Sequence, residues 1–339
     1  MARRVLAVSL ACLFTVCGFP AESRAGSTEA GAESRAAAGT RAESRTGAVG
    51  VRAGSRAGAA GARDECRAGP HTRPPARLAE PRAPGAGQIR RMSADLRRRF
   101  ASRVEAGRDR HGRKAVETVI VPLWVHVIKD GALGAPDAAV RQQVAALNAA
   151  YGGKVGGADT GFRFELKGIT HTANSEWFRD PVANEEPMKR KLRTGGPETL
   201  NLYLAQLSQL VLGYATYPYW YKDEPQLDGV VIDWRSMPGG PLVNFNRGFT
   251  AVHEIGHWFG LVHTFENGCE APGDFVDDTP PEASPSSGCP GRRDSCPAPG
   301  DDPVRNFMDY GYDRCMSEFT AGQAARMHEM WDTYRRSGA

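Results

Sequence analysis

A change in composition near residue 114 limits which part of this chain can fold. The first 114 of the 339 residues carry 23 Lys or Arg against 10 Asp or Glu and consist mainly of Ala, Gly, Arg, Ser and Pro. Such a segment has too few aromatic and branched apolar side chains to offset the entropy of folding by burial. The other 225 residues, with 20 basic and 29 acidic side chains, suffice for one domain. This composition excludes a polytopic membrane protein, a coiled coil and a repeat array.

The N-terminus has the pattern of an export signal. Arg3 and Arg4 precede an apolar run at residues 5–19, and Ser23-Arg24-Ala25 offers a small-x-small cleavage site. The run is shorter than the ~20 apolar residues that span a bilayer, which makes a membrane anchor the weaker interpretation. We therefore predict a signal peptide at residues 1–25, a secreted protein, and no membrane insertion after the signal is removed.

Residues 26–114 form a low-complexity, basic segment that we predict to be a largely disordered, removable pro-segment. The alternative is an arm that binds nucleic acid or a cell surface through its positive charge. Because we predict that this segment is removed, we expect no nucleic-acid partner for the mature protein. Within it, residues 92–104 predict one short amphipathic helix with Leu96, Phe100 and Val104 on its apolar face, where the segment docks on the folded domain.

The sequence from residue 115 to 339 predicts a sheet that carries helices, an α/β or α+β domain. Strands are predicted at residues 118–128, 161–170, 200–204, 212–217 and 229–234; the first is rich in β-branched residues and the second alternates apolar side chains. Helical periodicity predicts helices at residues 138–151 and 184–193, and Thr320 with Gln323 predicts a capping box that starts a final helix. Pro122 predicts an irregularity or an edge position in the first strand.

The run from His253 to His263, HEIGHWFGLVH, carries the strongest chemical signal. Residues four apart lie on one helix face, so that His253 and His257 can hold one metal ion while Glu254 takes a proton from water. Gly260 permits a left-handed turn that brings His263 back as a third ligand. Three imidazoles without a fourth protein ligand predict a catalytic zinc ion, because structural zinc sites are normally closed by a fourth ligand.

This extended HExxHxxGxxH pattern resembles that of the metzincin zinc peptidases, and its surroundings resemble the pappalysin family among them. The likeness spans residues 115–336 and rests on further segments, at residues 200–204, 213–218, 274–280, 306–310 (NFMDY) and 319–327. It implies a metzincin-like α+β fold with a twisted, mostly parallel five-stranded sheet and an active-site helix. It also implies an N-terminal subdomain at 115–263 and a loop-rich, disulfide-linked C-terminal subdomain at 264–339.

The resemblance assigns further residues to the site. It implies that Met308 forms the methionine turn beneath the metal, an apolar base for the ligands. It also implies that Tyr310 places its hydroxyl near the metal, where the hydroxyl can stabilise an oxyanion. The predicted function is that of a secreted zinc endopeptidase with protein or peptide substrates, in which Glu254 is the general base. The alternative is a catalytically inactive, zinc- and calcium-stabilised binding module, which would be expected to have lost Glu254 or a histidine.

Four cysteines follow the zinc motif and are predicted to form two disulfides in an exported protein. Four cysteines allow three pairings, and a second zinc site is the less favoured alternative. The resemblance implies the pairs Cys269 with Cys296 and Cys289 with Cys315. Each closed loop would add about 3 kcal/mol of stability in the chain-entropy model.

A fifth cysteine, Cys66, is alone in the basic segment. The family includes precursors kept latent by a thiolate on zinc, so Cys66 is either such a switch or a bystander.

The sequence after the zinc motif is rich in acidic residues, which usually means a solvated surface. Five side chains nevertheless offer hard oxygen donors within nine residues, namely Asp274, Asp277, Asp278, Thr279 and Glu282. Oxygen donors suit calcium rather than zinc, and the pappalysins that this chain resembles bind calcium in the equivalent segment. We therefore expect a structural calcium ion there, in addition to the catalytic zinc ion.

Overall fold

The computed structural model describes residues 80–105, 118–208 and 211–336. The predicted signal peptide and Cys66 lie outside these residues. None of the helices in the described ranges is long and apolar enough to cross a membrane.

Five strands form one mixed sheet. They are β1 (Val119–Lys129), β2 (Phe162–Ala173), β3 (Leu200–Ala205), β4 (Gly213–Ala215) and β5 (Val230–Asp233). Their order across the sheet is β2-β1-β3-β5-β4, and all neighbours are parallel except β4 and β5. The mostly parallel five-stranded sheet is therefore confirmed, with β4 as an edge strand among the described residues.

The central strands are covered on both faces. All six residues of β3 are buried, which explains its nearly continuous apolar sequence. Pro122 lies in β1 just before the point where pairing with β3 begins at Leu123. The register between β1 and β2 shifts between Leu123 and Trp124. The irregularity that Pro122 predicts is therefore present, although β1 itself is not an edge strand.

Six α-helices accompany the sheet in the described ranges, namely α1 (Ala86–Glu105), α2 (Asp137–Tyr151), α3 (Ser175–Arg179), α4 (Glu185–Leu192), α5 (Phe249–Trp258) and α6 (Ala321–Met330). Helix α2 buries Val140, Leu147 and Tyr151. The Tyr151 hydroxyl donates to the Val252 carbonyl oxygen at 3.0 Å, which ties α2 to α5. Helix α6 begins with the predicted capping box of Thr320 and Gln323, and it continues into a π-helical turn at Trp331–Arg335.

Residues 264–320 are irregular apart from isolated bridges, and two disulfides cross-link them. Cys269 is bonded to Cys296 and Cys289 to Cys315, the pairs that the resemblance implies. Each bond closes a loop of 26 or 27 residues, which restricts a segment that has few backbone ladders of its own.

Helix α1 shows that part of the predicted pro-segment is ordered against the domain. It begins at Ala86, before the predicted start, and buries Ile89, Met92 and Leu96. Phe100, which was expected on the apolar face, is only partly buried. The buried face follows positions i, i+3 and i+7, whereas the predicted face was shifted towards the C-terminal end of the helix. The docking surface of the domain, rather than local periodicity, decides which turns of the helix are buried.

Candidate active site

Helix α5 carries the first part of the histidine motif in the interior of the domain. All ten residues of α5 are buried, and the helix packs against β4 and β5. His253 and His257 lie one turn apart on the same face, and their Nε2 atoms are 3.1 Å apart. The rigid, buried helix therefore fixes two imidazoles relative to each other before any metal binds.

The chain after α5 returns the third histidine to the same point. Gly260 has φ +94°, a left-handed conformation that favours glycine, and its amide donates to the His257 carbonyl oxygen. A Cβ atom at Gly260 would also come within 2.6 Å of the Met330 side chain. The turn places His263 Nε2 3.2 Å from His257 Nε2.

Hydrogen bonds fix the protonation of two of the three rings. His253 Nδ1 lies 2.6 Å from the Phe307 carbonyl oxygen, and His257 Nδ1 lies 2.8 Å from the Leu261 carbonyl oxygen. A carbonyl oxygen only accepts, so each Nδ1 carries the hydrogen and each Nε2 presents a lone pair. Burial lowers the pKa of His253 to about 4, which keeps that imidazole neutral.

The donor set fits a zinc ion. Lone pairs on Nε2 atoms 3.1 Å apart repel each other unless a cation lies between them. In a tetrahedral zinc site with bonds of about 2.0–2.1 Å, adjacent ligand atoms are about 3.3 Å apart. The separations of 3.1 and 3.2 Å among the Nε2 atoms are close to that value. His253, His257 and His263 are therefore the residues that would hold the metal.

Tyr217 supports His257 from the side opposite the metal position. Its hydroxyl oxygen lies 2.7 Å from His257 Nδ1, next to the Leu261 carbonyl oxygen that accepts from the same nitrogen. Partners of this kind hold a metal-binding imidazole in one orientation and one tautomer. Sequence reasoning placed Tyr217 at the end of a strand and gave it no role in the site.

Glu254 lies on α5 beside His253 and against the edge strand β4. It is buried, and it lies close to Gly213 of β4. A Cβ atom at Gly213 would lie 2.6 Å from Glu254 Cγ and 2.7 Å from Oε1, closer than real Cβ contacts. Gly213 is therefore needed for close approach of the strand to this carboxylate.

Met308 and Tyr310 both lie close to the histidine motif. Met308 is fully buried, and a Cβ atom at Gly256 of α5 would overlap its sulfur atom. The glycine inside the histidine motif thus makes room for the methionine. The Tyr310 ring centroid is 5.0 Å from that of His263 and 5.7 Å from that of His253.

Glu80, from the segment before α1, reaches all three histidines. Its Oε1 atom is 3.2 Å from His253 Nε2 and 3.1 Å from His263 Nε2, and its Oε2 atom is 3.3 Å from His257 Nε2. The Tyr310 hydroxyl donates to Oε1 at 3.2 Å. Sequence reasoning missed Glu80. The available signal was that Glu80 is the only acidic residue between Cys66 and Met92 and precedes a proline.

The five calcium candidates do not converge on one point. Asp274 and Thr279 are in contact, with the threonine hydroxyl 2.7 Å from both carboxylate oxygens. Asp278 instead accepts from the Thr320 hydroxyl and the Gly322 amide at the start of α6. Asp277 is exposed.

Glu282 lies in a separate buried cluster. It accepts from Thr264 at 2.9 Å, Ser286 at 3.1 Å and Arg293 at 2.8 Å. Burial, followed by the charge of Asp309, raises the pKa of Glu282 to about 8. Burial also raises the pKa of Asp274 to about 7. Both carboxyl groups are thus costly to ionise where they stand.

The sequence is similar to extracellular metalloproteases of filamentous fungi. A relative from Neurospora crassa is 43% identical over 240 residues, which cover 66% of this chain and 79% of the relative. A relative from Pyricularia oryzae is 45% identical over 222 residues, which cover 63% and 76%. The family model described as Pregnancy-associated plasma protein-A, the model of the pappalysins, matches residues 200–332. The chain belongs to the pappalysin family.

Solved structures agree with this assignment. Mature mirolysin of Tannerella forsythia, in complex with a cleaved peptide, matches with a TM-score of 0.58 and 28% identity over 66% of this chain and 96% of mirolysin. A promirolysin mutant from the same organism matches with a TM-score of 0.56 and 27% identity over 74% of this chain and 92% of its own. This pappalysin-family chain is therefore a metallopeptidase with a metzincin fold, and its family implies a catalytic zinc ion.

Proposed function

We propose that the protein is a secreted, zinc-dependent endopeptidase that is made as a latent precursor. The observation that carries the proposal is the convergence of three Nε2 lone pairs beside Glu254, at the edge of the sheet. Zinc held by these nitrogens would supply Lewis acidity, which polarises a peptide carbonyl and acidifies water. The residues around it would supply the proton transfers and the binding of the substrate chain.

Glu254 is the proposed general base. It lies one residue after His253, and as a buried carboxylate it can take a proton from a water molecule that attacks the carbonyl. The same carboxyl group can then pass the proton to the leaving amine. Close packing against Gly213 limits the positions that the carboxylate can take, which favours one productive geometry.

Tyr310 is the proposed oxyanion partner. Its hydroxyl donates to an oxygen of Glu80 that also lies within 3.2 Å of two histidine nitrogens. An oxyanion at the same position would receive the same hydrogen bond, and removal of one such donor typically costs about 100- to 1,000-fold in rate.

The proposed substrate site is the outer edge of β4. This strand ends the sheet among the described residues and lies beside Glu254 through Gly213. A peptide that adds to the edge as an extended strand satisfies its backbone groups irrespective of its sequence. Such binding would present successive peptide bonds to the histidine cluster and suits protein or peptide substrates.

The variant Glu254→Gln tests the proposed reaction. It should keep the zinc content of the wild type, because all three histidines remain, and should lower kcat by at least about 100-fold through loss of the base. Glu176→Gln, at an exposed position of helix α3, serves as a matched control and should leave kcat unchanged. Wild-type turnover in Glu254→Gln would refute the role of Glu254, and a processed wild type that does not cleave a peptide library would refute the reaction itself.

The order of residues 80–105 against the site supports a latent precursor. Similar sequences are named extracellular metalloproteases, and the match to promirolysin covers more of this chain than the match to mature mirolysin. N-terminal sequencing of the protein from the culture medium, before and after activation, tests both secretion and processing. An active secreted form that still begins near residue 26 would contradict removal of the pro-segment.

We also propose a structural calcium site at Asp274 and Thr279. The buried Asp274 carboxylate is close to Thr279, whereas Asp278 is engaged at the start of α6 and Glu282 is paired with Arg293. A calcium ion would offset the cost of an ionised Asp274 in the interior. Removal of calcium with EGTA should lower the Tm by several degrees, and calcium but not magnesium should restore it. An unchanged Tm would argue against the site.

A further inference from the structure

We propose that Glu80 is the fourth protein ligand of zinc in the precursor, and that its carboxylate rather than the Cys66 thiolate keeps the enzyme latent. The proposal rests on the zinc site described under the proposed function and adds a regulatory ligand to it. No motif in the sequence assigns this role to Glu80, which lies 173 residues before His253.

The distances around Glu80 are compatible with a four-ligand zinc site. Contacts from its two oxygens to the histidine Nε2 atoms measure 3.1, 3.2 and 3.3 Å. The Nε2 atoms of the histidines are themselves 3.1 and 3.2 Å apart. Oε1 faces His253 and His263 and Oε2 faces His257, and the measured distances are near the edge of about 3.3 Å in a tetrahedral zinc site. Because a carboxylate oxygen is an ordinary zinc ligand, Glu80 would occupy the position that a catalytic site keeps open.

Glu80 also occupies the place proposed for the reacting oxygen. The Tyr310 hydroxyl, which we assign to the oxyanion, donates to Glu80 Oε1 at 3.2 Å. One carboxylate therefore meets both the metal ligands and the oxyanion partner. While it stays there, neither a water molecule nor a peptide carbonyl can take the same position.

The local sequence holds Glu80 in this position. The Ala83 amide donates to the Glu80 carbonyl oxygen at 3.0 Å, which closes a turn with Pro81 at its second position, where proline is favoured. Arg82 pairs with Glu185 at 2.7 Å and with Glu224 at 3.3 Å. The turn and the ion pairs fix the backbone on the C-terminal side of the carboxylate.

Helix α1 anchors the segment more firmly. Its buried Ile89 and Met92 pack in a cluster with Tyr217 and Val262 of the catalytic domain. The Tyr334 hydroxyl donates to Asp95 at 2.7 Å on the same helix. With α1 docked, Glu80 is an intramolecular ligand at a local concentration of the order of millimolar or higher.

The two candidates for the fourth ligand, Glu80 and Cys66, can be distinguished because they would add different atoms to the zinc site. The thiolate would add a Zn–S bond of about 2.3 Å, whereas a carboxylate would add an oxygen at about 2.0–2.2 Å. Zinc-edge X-ray absorption on the full precursor, with Glu254→Gln to prevent self-cleavage, separates the two. We expect nitrogen and oxygen scatterers alone, and the same spectrum in a Cys66→Ala precursor. A sulfur scatterer would overturn the proposal.

X-ray absorption does not distinguish a water oxygen from a carboxylate oxygen on the metal. A second measurement is therefore needed to test whether Glu80 blocks access to the metal. Precursors that carry cobalt in place of zinc and Glu254→Gln can be titrated with acetohydroxamate, which changes the cobalt spectrum when it binds. Glu80→Ala should bind acetohydroxamate at least tenfold more tightly than the parent, and Cys66→Ala should behave as the parent does. The role of Glu80 would be refuted if Glu80→Ala bound acetohydroxamate no more tightly than the parent, or if Cys66→Ala bound it more tightly.

The Tm of each variant is compared with that of the parent to check that the variant is folded. Glu80→Gln, which has nearly the shape of glutamate, replaces Glu80→Ala if the latter does not fold, and the same tenfold opening is expected. Glu176→Gln is the control for loss of an unrelated carboxylate. These readouts do not depend on turnover. Failure of the peptidase proposal would appear as a processed enzyme without activity, whereas failure of the Glu80 proposal would leave that activity intact.

Discussion

Gly213→Ala should lower catalysis sharply while leaving the fold and the metal site in place. Gly213 lies in the edge strand β4 with an ordinary backbone conformation, so alanine is tolerated there by the main chain. The three atoms nearest to the added methyl group all belong to Glu254. The substitution thus acts first on the proposed general base.

The size of the effect follows from the distances. The added Cβ would lie 2.6 Å from Glu254 Cγ and 2.7 Å from Oε1, whereas ordinary contacts begin at 3.4 Å. Relief requires the buried side chain to move by about 0.8 Å, and a misplacement of about 1 Å can cost about 100-fold in rate. We expect kcat to fall by about 30- to 100-fold, which corresponds to about 2–3 kcal/mol of barrier.

The assay compares kcat, KM and bound zinc in the processed enzyme, freed of its pro-segment. Zinc content should stay within about twofold of the wild type, because the three atoms nearest to the added methyl group belong to Glu254 and not to the histidines. Gly196→Ala is the matched control, since a Cβ there meets nothing within 4 Å. A Gly213→Ala enzyme with full zinc content and a kcat within twofold of the wild type would show that the position of Glu254 is not set by this contact.

Two further predictions concern stability. Arg335 is fully buried, pairs with Asp228 at 3.1 Å and lies 3.5 Å from the centre of the Trp258 ring at the end of α5. Arg335→Met should lower the free energy of unfolding in urea by about 3–5 kcal/mol, because it leaves the Asp228 charge buried, and a loss below 1 kcal/mol would contradict this. Burial lowers the pKa of His126. Below about pH 6.5 the unfolded chain therefore takes up a proton that the folded chain does not, and the free energy of unfolding should decrease as the pH is lowered through this range. The loss of Tm from pH 7 to pH 5 should be smaller in His126→Gln, and an equal loss would rule out this contribution.

Elements with strong local signals could be predicted from the sequence. The buried run of β3 and the apolar periodicity of α2 gave bounds within a few residues of those observed. The five residues of α3 were missed, because so short a helix shows no periodicity and depends on its Asn174 cap. The predicted strand at 212–217 contains the shorter β4, whose length is set by its pairing with β5.

The convergence of the three histidines could be predicted because they lie within eleven consecutive residues and their spacing determines their geometry. The residues that tune them are scattered along the chain. Tyr217 lies 40 residues from His257, and Gly213 meets Glu254 across the boundary between sheet and helix. Contacts of this kind follow from the packing of α5 against β4, which local patterns do not encode.

The way in which the pro-segment is anchored constrains how the precursor can be activated, if Glu80 is the fourth ligand. A carboxylate alone is a replaceable ligand, but burial of Ile89, Met92 and Leu96 supplies about 1.5–3 kcal/mol for each side chain as an upper bound. A cut on the C-terminal side of α1 would leave the helix docked and Glu80 at high local concentration. Cleavage within residues 81–85, between Glu80 and α1, would remove the high local concentration of Glu80 and allow its carboxylate to dissociate from the metal. The position of the first cut, rather than the mere presence of one, therefore decides whether the histidine site opens.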